Sequence, residues 1–128
     1  MSNYPKTVED LHVFERAYQV SIEIHNLTLQ LPKIEQYALG DQMRRASKSI
    51  CANLSEGYGK RAGSTKEFRH FILISMGSSD EMQIWIRYCK DLGYFTEDKA
   101  KGLRQEYQEI SKMLNSLYAY ISKQAKVS

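Results

Sequence analysis

Apolar side chains recur every three or four residues along most of the chain, and this spacing constrains the fold more than any other sequence feature. One series comprises Val13, Ala17, Val20, Ile24, Leu27 and Leu31, and another comprises Leu103, Tyr107, Ile110, Leu114, Leu117 and Ile121. Shorter series run from Leu39 to Gly57 and from Phe68 to Cys89. This is the period of helices that bury one stripe, and no useful segment alternates as a half-buried strand would.

Capping and breaking signals divide the chain into four helical segments, predicted near residues 8–31, 41–57, 65–92 and 97–123. Ser64 and Glu67 read as a capping box, and Gly93 reads as a helix C-cap. We expect a break between the second and third segments at Gly57 and the glycines that follow it. Since short loops favour antiparallel neighbours, we expect an up-down-up-down four-helix bundle that forms a single all-α domain over residues 1–128.

The first and third segments each carry more apolar surface than one bundle can bury. The extra residues are Leu11, Phe14, Tyr18, Ile22 and Leu29 in the first segment, and Leu73, Ile74, Ile84 and Trp85 in the third. Exposed apolar patches of this extent mark interfaces. The pattern therefore predicts a homo-oligomer, with a groove closed by a different protein as the alternative.

Composition excludes several classes of protein. Hydrophobic residues make up 42% of the chain and charged residues 26%, as in an ordinary globular protein. No apolar run approaches the ~20 residues that span a bilayer, and residues 1–6 have no apolar leader-like stretch. Cys51 and Cys89 form no CxxC pair. We therefore expect a cytoplasmic protein with reduced thiols and no membrane partner.

The positive charge of the chain is concentrated in residues 41–70, which carry seven basic and three acidic side chains. The basic residues are Arg44, Arg45, Lys48, Lys60, Arg61, Lys66 and Arg69. A local basic zone on a chain of net charge +3 can attract nucleic-acid phosphate. Two alternatives stay open: the zone is a solvated face, or some of its arginines are used in salt bridges inside the bundle.

Four polar residues lie on or beside the apolar stripes of the second and third segments: Ser49, Asn53, Glu56 and Glu81. A buried carboxylate needs a donor, and we expect Arg44 or Arg45 to pair with Glu81. The four residues are therefore predicted to form a structural polar network that fixes helix register.

The sequence motifs predict no catalytic residues, no metal site and no cofactor. Glu67 and His70 form a Glu-x-x-His pattern of the kind that di-metal bundles use, but Glu67 is already assigned to the helix cap with Ser64. The glycine-rich stretch of residues 57–65 lacks the ending of a nucleotide-binding loop and follows a helix rather than a strand. We therefore expect a protein that is not an enzyme.

Residues 42–59, QMRRASKSICANLSEGYG, resemble the signature of the four-helix-bundle protein family that is also called the 23S ribosomal RNA intervening sequence protein family. Further similarity occurs at Phe68, Gly77-Ser78, Glu81, Leu92-Gly93-Tyr94 and residues 114–117. The resemblance implies a bacterial, all-helical cytoplasmic protein that forms a ring-like homopentamer. The fold is also similar to the accessory protein of diversity-generating retroelements, whose signature in the second helix differs.

Two functions fit these observations. The first is a non-enzymatic oligomeric scaffold that binds RNA or DNA non-specifically through the basic 41–70 zone. The second is a scaffold that recruits a protein partner through its apolar faces and binds no nucleic acid.

Overall fold

The computed structural model describes residues 7–127, apart from the side chains of Asp10, Lys126 and Val127; the segment of residues 1–6 and residue 128 lie outside it. Within the described residues there are four α-helices and no strand. They are α1 (His12–Thr28), α2 (Leu39–Lys60), α3 (Thr65–Asp91) and α4 (Glu97–Val127). Short 3-10 turns at Val8–Asp10 and Lys33–Glu35 precede α1 and α2. The predicted all-α class is confirmed.

Side-chain pairs show how the helices run. Arg16 of α1 contacts Glu106 of α4, and Glu23, farther along α1, contacts Lys99, which is earlier in α4. These two helices are therefore antiparallel. Each helix packs against the next in the chain, and α1 packs against α4, so that α1 and α3 occupy diagonal corners.

The predicted apolar stripes form the core. The residues that are fully buried there include Ile24, Met43, Ile50, Leu54, Ile72, Met82, Ile86, Tyr107, Ile110 and Leu114. Two buried serines of α3 hydrogen-bond to the backbone of its neighbours. The Ser75 hydroxyl donates to the carbonyl oxygen of Ile50 in α2 at 3.0 Å, and the Ser79 hydroxyl donates to that of Tyr107 in α4 at 3.0 Å.

The predicted boundaries of α3 are confirmed by its caps. The Ser64 hydroxyl accepts a hydrogen bond from the Glu67 backbone N–H at 3.1 Å. At the other end, Gly93 adopts a positive φ of 82°, and the Tyr94 N–H donates to the Cys89 carbonyl at 2.7 Å. This is a Schellman ending, which glycine adopts without strain.

Four boundaries differ from the prediction by three residues or more. The helix α1 begins at His12 rather than near residue 8, and α4 continues to Val127 rather than ending near residue 123. The helix α1 ends at Thr28 rather than near residue 31. The helix α2 continues through Gly57 to Lys60. A Cβ placed on Gly57 would lie 2.7 Å from the Cβ of Phe71, so this glycine permits close contact between α2 and α3 instead of ending α2.

Candidate nucleic-acid interface

Arg44 points into the chain rather than toward solvent. Its Nη1 donates to the Thr28 hydroxyl at 3.1 Å and to the Gln36 side-chain oxygen at 3.4 Å. Its Nη2 donates to the Gln36 backbone carbonyl at 2.5 Å. The guanidinium therefore ties the connection between α1 and α2 to the start of α2. Because its donors are engaged in this way, we expect a structural role for Arg44 rather than the predicted phosphate contact.

Arg45 and Lys48 lie on the outward side of α2. The Arg45 side chain is 78% exposed and pairs with Asp41, one turn earlier, at 3.0 Å. Lys48 is exposed, and its Nζ lies 3.1 Å from Nδ1 of His25 in α1. An exposed ion pair such as Arg45–Asp41 holds a side chain only weakly, and the single hydrogen bond of Lys48 is also exposed, so both cations can turn toward an incoming phosphate.

Lys60 and Arg61 lie at the corner between α2 and α3, where each packs on an aromatic ring. The Arg61 guanidinium carbon lies 3.6 Å from the centroid of the Tyr58 ring, and its Nη1 donates to the Tyr58 carbonyl at 2.6 Å. The Lys60 ammonium lies 5.6 Å from the centre of the Phe71 ring and pairs with Glu56 at 3.2 Å. Contact with a ring positions a cation without neutralising its charge.

The Tyr58 ring is buried at the same corner, at 8% exposure, and packs edge-on against Phe68. This ring is therefore part of the core. Stacking of Tyr58 on a nucleic-acid base would require the corner to open.

Lys66 and Arg69 lie on the first turns of α3. Lys66 is exposed, whereas Arg69 is partly buried. The Nε of Arg69 is shielded from solvent and has no hydrogen-bond partner among residues 7–127. Of the seven predicted contacts, the structure thus presents Arg45, Lys48, Lys60, Arg61 and Lys66 at exposed positions, with Arg69 partly covered.

The predicted polar network forms only in part. The Asn53 amide donates to the Ser49 hydroxyl at 2.9 Å and to the Ser49 carbonyl at 2.8 Å. The Ser78 hydroxyl of α3 donates to the Ser49 hydroxyl at 3.0 Å. These three residues link α2 to α3. Ser78 was missed by the sequence analysis as a member, although its position in a run of small residues marks a close helix contact.

Glu56 and Glu81 are not members of this network. Glu56 is exposed and pairs with Lys60. Glu81 is exposed and accepts a hydrogen bond from the indole Nε1 of Trp85 at 2.9 Å. The predicted pairing of Glu81 with Arg44 or Arg45 is wrong, because its position on α3 is turned outward and the carboxylate finds its donor one turn along the same helix.

The groove between α1 and α4 is lined by charged residues that the sequence analysis did not single out. It encloses about 480 Å³. Two nitrogens of Arg16 each donate to a different oxygen of Glu106 at 2.9 Å, and this carboxylate raises the pKa of Arg16. The pairing joins two helices, but both partners are about one-third exposed or more, so its contribution to stability is modest.

Both thiols are poor nucleophiles at neutral pH. Burial raises the pKa of Cys51 and that of Cys89 from 9.0 to about 12. The Cys51 Sγ lies 3.6 Å from the Phe14 carbonyl oxygen, and the Cys89 Sγ lies 3.5 Å from the Met43 sulfur. Only the thiolate reacts readily, so these surroundings are those of packed thiols.

The second apolar faces are exposed only in part, because the predicted members Leu11, Phe14 and Trp85 are partly buried and pack against the core. On α1, Tyr18 is 45% exposed and Ile22 46%, and Leu29, just beyond the helix, is 57% exposed. The rings of Phe14 and Tyr18 stack with centroids 6.3 Å apart. On α3, the exposed large apolar residues are Leu73, Ile74, Ile84 and Tyr88, with Leu92 just beyond the helix. Because α1 and α3 are diagonal, the two faces lie on different sides of the bundle.

Among the described residues, no three histidine, cysteine or carboxylate side chains are close enough to hold a metal ion. The His70 ring, in the Glu-x-x-His pattern of α3, packs edge-on against Phe71. In the same part of the chain, none of the helices combines the length and the apolar character that crossing a bilayer requires.

The chain is similar to known proteins in sequence and in fold. A crystal structure of a protein of unknown function from the S23 ribosomal protein family of Bacteroides thetaiotaomicron is similar, with a TM-score of 0.75 and 23% identity. The similarity covers 84% of this chain and 95% of that one. Among the curated proteins, none matches the chain. The family described as 23S rRNA-intervening sequence protein matches residues 9–116, and the chain belongs to this family.

Proposed function

We propose that this protein is a non-enzymatic scaffold that assembles with copies of itself and binds nucleic acid without sequence preference. The observation that carries the proposal is the outward side of α2. Lys48 and Lys60 lie about 18 Å apart along the helix axis, at ~1.5 Å per residue. The exposed residues between them are Ala52, Ser55 and Gly59, which are small, and Glu56, which pairs with Lys60. The small residues let a phosphate backbone approach the helix closely, while the longer cations reach its oxygens.

The corner between α2 and α3 extends this surface. Arg61 is held in place by Tyr58, and Lys66 projects from the next helix. Contacts of this kind bind phosphates and not bases, so affinity is dominated by salt-dependent electrostatics and sequence preference is low. The family description refers to 23S rRNA, which makes structured rRNA the first nucleic acid to test.

The apolar faces support self-association. The α1 face presents bulky side chains such as Tyr18 and Ile22, whereas Gly77 lies exposed between Leu73 and Ile84 on α3, with no side chain of its own to obstruct a partner helix. We infer that α1 of one copy packs on α3 of the next. Two different faces that pair head to tail generate a ring when the rotation closes. Five subunits is the number that the family resemblance implies.

A single basic zone binds nucleic acid weakly, and assembly of several copies strengthens the binding. A ring repeats residues 41–70 in every subunit, and several patches can then act together on one long strand. No reaction is assigned, in keeping with thiols that stay protonated at neutral pH.

A salt series tests the proposal. Binding of structured rRNA, single-stranded DNA and duplex DNA is measured against salt for the parent and for a Lys60→Glu/Arg61→Glu variant. Each phosphate contact contributes about 0.9 to the logarithmic slope on B-form duplex and about 0.7 on a single strand. The variant should bind every sequence more weakly and with a flatter slope. Lys33→Glu/Lys112→Glu, a reversal of two exposed lysines elsewhere, is the matched control and should bind more tightly than that variant.

The same experiment can overturn the proposal. Light scattering and thermal unfolding first establish that both variants keep the assembly of the parent. If the parent retains no RNA or DNA at about 50 mM salt, where screening is weak, it does not bind nucleic acid through this zone.

The second candidate function is a scaffold for a protein partner. The observation that favours it is the exposed apolar face of α1, which suits a foreign helix as well as a second copy. A monomer by light scattering at micromolar concentration, together with no binding of nucleic acid, would favour this function.

A further inference from the structure

A second basic pocket lies between α3 and α4, outside the 41–70 zone. It encloses about 340 Å³, which is at the lower end of the ~300–1,000 Å³ range of small-ligand pockets. Its charged lining consists of three cations, Lys90, Lys101 and Arg104, and one carboxylate, Glu97. Along α3, Lys90 is about 36 Å from Lys66, so the pocket is remote from the corner between α2 and α3.

The pocket has an excess of hydrogen-bond donors. The Nε of Arg104 is shielded from solvent and has no hydrogen-bond partner among the described residues. The Lys90 ammonium lies 3.7 Å from a carboxylate oxygen of Asp91, outside normal hydrogen-bond distance. The side-chain amides of Gln105 and Gln108 line the same pocket and add N–H donors.

We propose that this pocket binds a phosphate group, with Arg104 as the main contact and Lys90 and Lys101 as flanking cations. A guanidinium can donate from Nε and one Nη to two oxygens of the same phosphate. An oxygen that reaches Nε gives this N–H the acceptor it lacks, after a rotamer change that uncovers it. The three cations outnumber Glu97 and the Asp91 carboxylate beside Lys90, so an anion is favoured over a cation.

The phosphate can come from a nucleic-acid backbone or from a small phosphorylated molecule. In the first case the pocket deepens the proposed function by adding a contact far from residues 41–70. In the second case it is a separate ligand site. The chemistry at Arg104 is the same in both, so the two sources are separated by experiment.

The test follows the arginine Nε–H signals of the full chain by ¹⁵N NMR. Inorganic phosphate, a nucleoside monophosphate and a short single-stranded RNA are titrated separately, with ionic strength held constant by chloride. We expect the Arg104 signal to shift with a saturating curve in at least one titration. Arg104→Gln should weaken that binding at least tenfold, or about 1.4 kcal/mol. Lys112→Gln, at an exposed site farther along α4, is the control and should leave the binding unchanged.

The outcomes separate this proposal from the proposed function. Saturation with the small phosphates, together with an RNA that does not bind, supports the pocket and contradicts nucleic-acid binding. Saturation with RNA alone identifies the strand as the source of the phosphate. The proposal is overturned if the Arg104 signal does not shift with any of the three ligands at concentrations up to tens of millimolar. It is also overturned if Arg104→Gln and Lys112→Gln weaken binding equally.

Discussion

Gly57 of α2 and Phe71 of α3 pack so closely that a Cβ added at Gly57 would lie 2.7 Å from the Cβ of Phe71. Gly57→Ala should therefore destabilise the protein, because overpacking costs about 1–3 kcal/mol and outweighs the ~1 kcal/mol that alanine gains within a helix. Urea unfolding measures the difference. Gly102→Ala is the control: no atom lies within 4 Å of its added Cβ, so it should be neutral or stabilising. Equal effects of the two substitutions would contradict the close contact.

Arg44 and Arg45 are neighbours in sequence, and we expect them to have opposite roles. Arg44→Met removes the donors to Thr28 and Gln36, and we expect it to cost about 1–3 kcal/mol of unfolding free energy. Arg45→Met, at an exposed site, should change stability by no more than about 0.5 kcal/mol. Binding of rRNA should show the reverse order, with the larger loss in Arg45→Met. Unfolding and binding are measured on the same preparations, and a larger binding loss for Arg44→Met would contradict this assignment.

Glu81 provides a test of the corrected polar network. Glu81→Ala should leave the unfolding free energy within about 0.5 kcal/mol of the parent, because the carboxylate is exposed. Its hydrogen bond to Trp85 should be lost, and because Trp85 is the single tryptophan, the emission spectrum reports that loss directly. Asn53→Ala, within the network, should cost about 1 kcal/mol. If Glu81→Ala lowered the unfolding free energy by several kcal/mol, the carboxylate would have to be buried and ion-paired, contrary to the structure.

Stability should fall in alkali because the folded chain raises the pKa of both thiols. The pKa of Cys51 and that of Cys89 are about 12 in the folded chain, against an ordinary value of 9.0. The unfolded chain therefore releases these protons first, so stability is complete below pH 9 and declines as the pH rises toward 12. Burial raises the pKa of Tyr107 as well, with the same sign.

Urea unfolding across this alkaline range measures the decline. A Cys51→Ala/Cys89→Ala variant should lose less stability than the parent over the same range, even if it is less stable at neutral pH. Identical pH profiles would show that the thiols do not contribute.

The sequence was sufficient to predict those helix ends that depend on residues nearby in the chain. The cap at Ser64 and the turn at Gly93 depend on neighbours within a few residues, and both form as predicted. The end of α2 could not be found in this way. Gly57 favours a break by its backbone entropy, whereas its actual role depends on Phe71, which is brought to it by tertiary packing.

The candidate sites were less predictable, for the same reason. The charge pattern of the sequence places Arg44 in a basic zone. It does not show that Gln36, in the turn before α2, supplies the acceptors that hold the Arg44 guanidinium. The α3–α4 pocket could not be seen in any sequence window. Lys90 is separated in sequence from Lys101 and Arg104 by acidic residues, and only the packing of two helices brings their charges together.

The two serine hydroxyls of α3 have a consequence for the uniqueness of the native state. A bundle held only by aliphatic side chains can slide by a helical turn at little energetic cost, and its core then samples several arrangements. Here a slide would break the hydrogen bond of Ser75 to Ile50 in α2 or that of Ser79 to Tyr107 in α4, and each of these bonds fixes the register of α3 against one neighbour. The helix α3 thus favours one alignment of α2 and α4, and each surface that is formed by two of these helices has a single geometry.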